Sequence, residues 1–419
     1  MAIVGAGLNA TPKGMRLCIG LFGRRNAGKS SLFNALLGQD ASIVSPRAGT
    51  TADPVEKAME LLPLGPVLFV DTAGLDDDEG ELGGLRAGRA RDVYERCDMG
   101  IVVSEAGSWG PFEDAVVGEL SARKTPVIVA FSKNDLHGLG LAECEAALPE
   151  AASGLPVVCL SAQTGEGLDA LRRAIIEHAP AHFVEEPRIV GDLVAPGSVV
   201  VLVIPLDKEA PKGRLILPQV QVIRDLLDSG CVPMAVRDTE LSACLESLVA
   251  PPALVITDSQ AFAQVAAMVP EDVPLTSFSV AFARFKGDLP MQALGAQAIS
   301  SLTESSRVLI AEACTHHPIE EDIGTVKIPR LLRKRVGEGL AIDNVRGRDF
   351  PENLSDYDLV IHCGGCTLNR RAMLSRIQAC VAAGVPVTNY GLTLAYLNGI
   401  FDRAIRVFPD ADALLRSAD

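Results

Sequence analysis

The sequence predicts an α/β protein built mainly on parallel sheets, and three observations carry that prediction. Short apolar segments of strand length alternate with helical segments along nearly the whole chain. Gly, Pro or charge interrupts every apolar run well before the roughly 18 residues that a membrane-spanning helix needs. A glycine-rich turn, "GRRNAGKSS" from Gly23 to Ser31, joins the first apolar strand to the first helix.

Taken in order, "RLCIGLFG", "VLFVDTAG", "MGIVVSEA", "TPVIVAFS" and "PVVCLSA" read as strands of a mostly parallel sheet covered by helices. Residues 1–180 therefore form a first domain, and "HAPAHFVEEPRIVGD" breaks the pattern as a linker. A second, shorter βα series follows over residues 187–262, with strands "SVVVLVIPL", "CVPMAVRD" and "ALVITDS". Three strands and two helices bury little surface alone, so an apolar face that pairs with a second copy is expected, making the chain a homodimer. Residues 263–419 alternate again, with strands "RVLIAEAC", "YDLVIHCG" and "VPVTNYG".

The balance of 38 basic against 53 acidic residues leaves a net charge of −15. Such a surface repels phosphate backbones and anionic lipid, so neither nucleic acid nor a membrane is the expected partner. The N-terminus lacks the charged start, apolar centre and small-residue cleavage pattern of a signal peptide, which points to the cytoplasm. Ten cysteines in that compartment are packing residues or metal ligands rather than disulfides. Cys18, Cys97, Cys144, Cys159, Cys231, Cys244 and Cys380 read as small core residues. Cys314, Cys363 and Cys366 have neighbours that argue otherwise.

"GRRNAGKSS" fits G-x-x-x-x-G-K-[ST] between a strand and a helix. Gly23 and Gly28 let backbone N–H groups curl round phosphates, Lys29 reaches the outer phosphates, and Ser30, followed by Ser31, offers its hydroxyl to Mg²⁺. "DTAG" puts Asp71 beside the Mg²⁺ and the Gly74 N–H beside a γ-phosphate, while Thr51, or else Thr50, closes over the metal. In "FSKND", the Asp135 carboxylate accepts both N–H groups of a guanine edge and Lys133 stacks along the base; the Ser161–Ala162 turn backs it. These motifs in order make a P-loop GTPase that binds GTP and Mg²⁺, with Lys29, Thr51 and Gly74 acting on the phosphates. Residues 14–178 resemble the TrmE–Era class of GTPases. The resemblance implies that Asn26 helps hold a K⁺ ion that substitutes for an arginine finger. Two departures stand out. Ser132 occupies the usual asparagine position of the base motif, which implies one weakened bracing contact. Leu75 replaces a water-orienting glutamine, so unassisted hydrolysis should be slow; Glu81 of the acidic loop is a candidate to position the water.

"IHCGGC" ends an apolar strand at His362 and places Cys363 and Cys366 on the following loop; "RVLIAEACTHH" likewise ends at Cys314, with His316 and His317 behind it. In a parallel sheet the carboxyl ends of strands share an edge, so the two strings can face one crevice as a metal site. Three thiolates and a histidine suit structural zinc, and three thiolates with one replaceable ligand suit a [4Fe–4S] cluster. Over essentially its whole length, with "IPLDKEAPKGRLILPQVQ" and the C-x-H…H-C-x-x-C pattern, the chain resembles the HydF family, the maturation GTPases of [FeFe]-hydrogenases. That resemblance implies a P-loop GTPase domain, a small βα dimerisation domain and an α/β cluster-binding domain. It implies a dimeric scaffold that holds a [4Fe–4S] cluster on Cys314, Cys363 and Cys366, with His316, His362 or Glu321 as fourth-ligand candidates. It further implies a transient di-iron subcluster delivered to apo-[FeFe]-hydrogenase, alongside radical-SAM maturation enzymes. The competing expectation is a GTPase of tRNA modification or ribosome assembly with a structural zinc; the acidic charge counts against it.

Overall fold

The computed structural model describes residues 13–38, 55–72, 91–105, 107–184, 188–205, 215–313, 322–347, 350–365 and 368–418. The chain divides into two units, residues 1–186 and 187–419.

In the first unit the strands are β1 (Leu17–Phe22), β2 (Val55–Leu61), β3 (Gly65–Asp71), β4 (Met99–Glu105), β5 (Val127–Ser132) and β6 (Val157–Cys159), in spatial order β2-β3-β1-β4-β5-β6. All pairings are parallel except β2 with β3. β1 and β5 are buried at every position and β4 at all but Glu105, as a sheet covered on both faces requires. Side chains alternate between the faces. Leu17, Ile19 and Leu21 join Leu32, Phe33 and Leu36 of the helix Lys29–Gly38, while Cys18 and Phe22 join Val116, Val117 and Leu120 of the helix Pro111–Ala122. Each such fully buried side chain contributes about 1.5–3 kcal/mol. The loops after β1, β3, β4, β5 and β6 therefore leave one edge of the sheet, and the order reverses around β1, where α/β folds open a ligand crevice.

The second unit holds two four-stranded parallel sheets. One contains β7 (Val199–Val203), β8 (Val232–Val236), β9 (Leu254–Thr257) and β10 (Leu275–Ser277), ordered β10-β9-β7-β8. The other contains β11 (Arg307–Glu312), β12 (Ala341–Arg346), β13 (Leu359–His362) and β14 (Val387–Asn389), ordered β12-β11-β13-β14. The middle series does not stop at residue 262: β10 completes its sheet, and its apolar cluster runs on through Phe278, Phe282, Ala293, Leu392 and Ala404. Its apolar surface is thus covered largely from within the chain. Among the described residues, exposed apolar side chains of this region include Val232 on the β8 edge, 49 % exposed, and Val220 and Leu227 on the helix Leu217–Asp228. No helix among the described residues is long and apolar enough to cross a membrane.

Candidate functional site

The glycine-rich turn leaves β1 along the crevice edge. Gly23 has φ +153°, and a Cβ there would lie 2.2 Å from the Val103 carbonyl oxygen, so the backbone approach demands glycine. Asn26 is left-handed, with φ 63°, and its side chain is exposed. Lys29 is 5 % exposed, and its ammonium donates to Arg24 O at 2.8 Å and to Gly23 O, which keeps the charge folded over the turn. Ser30 Oγ donates to Asp71 Oδ2 at 2.8 Å. That pair, a hydroxyl and a carboxylate 3 % exposed, is the oxygen-rich arrangement that holds hydrated Mg²⁺ beside phosphates.

At the base end the structure supplies contacts that residue spacing does not show. Ser132, 2 % exposed, donates from Oγ to Ala27 O at 2.6 Å. The serine thus braces the phosphate turn itself, with Ser104 O as a longer alternative at 3.3 Å. Asn134 braces its own loop through Leu139, accepting the N–H at 3.0 Å and donating to the carbonyl at 3.2 Å. Lys133 adopts φ 56° and pairs with Glu105 Oε2 at 2.6 Å; His137 Nε2 lies 3.2 Å from the other oxygen. The hydrogen bonds from Lys133 and then His137 hold the Glu105 carboxyl below the usual range. Asp135 is exposed, on the short helix Asn134–His137 that follows β5. Ser161, fully buried, accepts the N–H groups of Gln163 and Thr164 at 3.2 Å each, which sets the turn containing Ala162. Ser31 is exposed on the first helical turn. Sequence reasoning missed Glu105, whose one signal is a carboxylate closing the apolar run "GIVVSE".

At the second candidate site, Cys363 continues β13, donating its N–H to Ala311 O of β11 at 2.9 Å. Its Sγ accepts the Ala313 N–H at 3.1 Å and the Gly365 N–H at 3.4 Å, a cradle that favours a sulfur bearing negative charge. Gly365 has φ +59°, and a Cβ there would meet Met373 Cε at 2.4 Å. His362 is placed differently from the expectation. It is 1 % exposed, with Nε2 2.9 Å from Arg376 Nη1 and Nδ1 2.7 Å from Cys363 O. A guanidinium only donates, so Nε2 accepts and Nδ1 carries the proton. Burial first, and Arg376 second, push the ring's pKa down to about 4, so it is neutral. Both ring nitrogens are engaged in this arrangement. Near the end of β11, Glu312 is 3 % exposed, accepts from Tyr390 Oη at 3.1 Å and pairs with Arg346 at 2.9 Å. Thr51 and Gly74, with Thr50, Leu75 and Glu81, lie outside the described residues, as do Cys314, His316, His317, Glu321 and Cys366. Among the described residues no group of three or more His, Cys, Asp and Glu is placed to hold a metal ion.

Comparison with known proteins adds three matches. Residues 18–133 match the model of the 50S ribosome-binding GTPase family, 189–287 that of the hydrogen maturase F dimerization domain, and 290–407 that of the hydrogen maturase F tetramerization domain. The chain belongs to the HydF family, within the TrmE–Era class of GTPases. Its HydF domains follow a P-loop GTPase domain, in the order the sheets display. The tRNA modification GTPase MnmE of Desulfotalea psychrophila is 36 % identical over 153 residues, 36 % of this chain and 32 % of that protein. GTPase Der of Wolinella succinogenes is 34 % identical over 166 residues, 38 % of this chain and 35 % of that one. The chain thus spans about a third of the length of the curated relatives it matches. Among solved structures, the G domain of the T. maritima FeoB iron transporter is 27 % identical, with 39 % of this chain and 98 % of that chain covered and a TM-score of 0.30. Era of Aquifex aeolicus bound to GDP and aluminium fluoride is 21 % identical, with 52 % and 92 % covered and a TM-score of 0.33. The HydF models cover the region beyond the GTPase domain, so tRNA modification with a structural zinc is not the favoured function.

Proposed function

We propose that this HydF-family GTPase is a dimeric scaffold that binds a [4Fe–4S] cluster through Cys314, Cys363 and Cys366 and delivers a di-iron precursor to apo-[FeFe]-hydrogenase, acting with radical-SAM maturation enzymes. The observation that carries the proposal is the Cys363 sulfur at the carboxyl end of β13, accepting two backbone N–H groups beside the end of β11, from which Cys314 follows. A sulfur donor cradled in this way fits an anionic thiolate ligand of an iron–sulfur cluster. The bound cluster would supply an iron with a replaceable ligand. Of the fourth-ligand candidates, His316 and Glu321 are favoured over His362, whose ring nitrogens meet Arg376 and Cys363 O.

On the GTPase domain, Lys29 neutralises the outer phosphates, the Ser30–Asp71 pair holds Mg²⁺, and Asp135 reads guanine with Lys133 along its face. Thr51 and the Gly74 N–H complete the γ-phosphate contacts. Hydrolysis is slow and K⁺-stimulated in this reading, with Leu75 unable to orient water and Asn26 left-handed and exposed where an ion can be held. The β8 edge, with Val232 exposed, suits pairing with a second copy about a two-fold axis. Anaerobic reconstitution of the full chain with iron and sulfide, followed by incubation with apo-hydrogenase, tests the proposal. A brown protein that activates the hydrogenase when carrying the precursor is the expected result; a colourless protein that binds zinc instead defeats it.

A further inference from the structure

Two cations tie the thiol loop to a helix that the family models assign to the preceding domain. Helix Phe278–Lys286 begins at Ser277, whose Oγ accepts the Val280 N–H at 3.3 Å, and buries Phe278 and Phe282 in the core beneath β7 and β9. Its last residue, Lys286, is 2 % exposed. The ammonium donates to Leu368 O at 3.0 Å and to Gly365 O at 3.3 Å, both within the loop that follows Cys363. In the opposite direction Arg370, the first residue of the helix after that loop, donates from Nη1 to Arg284 O at 3.3 Å and to Phe285 O. The loop is therefore clamped on both sides to the C-terminal turn of one helix, where carbonyl oxygens concentrate negative potential.

Desolvating an ammonium costs several kcal/mol, and a methionine would fill the same volume without that penalty. Compensation comes from carbonyl acceptors, and those acceptors belong to the loop carrying the thiols. A thiolate-bound iron–sulfur cluster carries net negative charge that grows on reduction. A fixed cation beside its loop therefore favours the reduced form and raises the reduction potential.

We propose that Lys286 is the positioning residue of the thiol loop: its buried ammonium fixes the Gly365 and Leu368 carbonyls and sets both the retention and the reduction potential of the cluster held there. The proposal rests on the cluster reading above for its second half only. Because Lys286 lies one residue before the end of the dimerization-domain match and the loop lies in the tetramerization-domain match, the clamp also links the domain expected to dimerise to the cluster loop.

The test uses the full-length chain with Lys286→Met, Lys286→Gln and Lys286→Arg. In the apo-protein, hydrogen exchange at the Leu368 amide, which bonds Gly365 O at 3.0 Å, should be about tenfold faster in Lys286→Met, as loss of one charge-assisted contact implies. In the reconstituted protein, Lys286→Met and Lys286→Gln should release iron faster to a chelator and show a lower midpoint potential by electron paramagnetic resonance titration. Lys286→Arg should restore the potential, because it keeps the charge. Wild-type exchange in Lys286→Met overturns the clamp. Faster exchange with an unmoved potential in both neutral variants overturns the electrostatic role. If Lys286→Met does not fold, Lys286→Leu, which likewise has no donor, decides the clamp by the same exchange measurement, and Lys286→Gln, which loses the charge, decides the potential. If the wild-type chain takes up no iron, the cluster reading has failed, while the apo-protein exchange still decides whether Lys286 holds the loop.

Discussion

Ser132→Ala isolates the contact that joins the base motif to the phosphate turn. The Ser132 hydroxyl is buried and carries one proton, so it serves one acceptor at a time; Ala27 O at 2.6 Å takes it in preference to Ser104 O at 3.3 Å. Alanine removes the donor and leaves its methyl group facing the Ala27 carbonyl. The cost lies between a net neutral hydrogen bond and a buried acceptor deprived of a partner, about 1–2 kcal/mol. Because Ala27 sits within the turn that wraps the phosphates, most of that cost should appear as nucleotide affinity, about 5- to 30-fold weaker. Titration of a fluorescent GDP analogue measures it, with thermal unfolding of the apo-protein reporting any part that appears as stability. Preference for guanine over adenine should persist, since Asp135 is untouched. An affinity within twofold of wild type together with an unchanged unfolding temperature would refute the assignment of Ser132 as the brace.

Lys29→Ala should lower GTP turnover at least about 100-fold, because it removes a buried charge from the phosphate site; phosphate release assays read this, and normal turnover would show that the turn does not bind the phosphates. Turnover in K⁺ should exceed that in Na⁺ severalfold, and equal rates would remove the ion-holding role of Asn26. Val232→Lys on the β8 edge should shift the chain towards monomer in analytical ultracentrifugation, whereas an unmoved dimer would place the interface elsewhere. Cys363→Ser should strip much of the iron from reconstituted protein and end hydrogenase activation. His362→Gln should instead keep its iron, because that ring is engaged by Arg376 and Cys363 O; iron loss equal to that of Cys363→Ser would restore His362 as a ligand.

The strands most legible in the sequence are those dominated by apolar residues, most of them buried. β1, β5, β7 and β9 are short runs of mainly apolar residues, many of them β-branched, bounded by Gly, Pro or polar residues, the pattern of strands covered on both faces. β2 and β12 carry "VEKAMEL" and "AIDNVR", edge strands with partly exposed, charged positions, and their pairing with β3 and β11 is a long-range property that no local pattern encodes. β10 is three residues long, "LTS", and exists because β9 offers it an edge.

The same division runs through the sites. The amino-acid sequence alone determined the phosphate turn, the order of the guanine motifs and the pairing of two thiol strings with two strand ends, because each needs particular residue types at short spacing on a parallel sheet. The tertiary structure decided which groups those residues meet. It turned His362 into the core against Arg376, gave Ser132 a bracing partner 105 residues away, and set Glu105 on Lys133. It also brought Lys286 to a loop 79 residues downstream. Such contacts are made by side chains from separate elements whose approach depends on the packing of the whole unit, and distance along the chain carries no information about them.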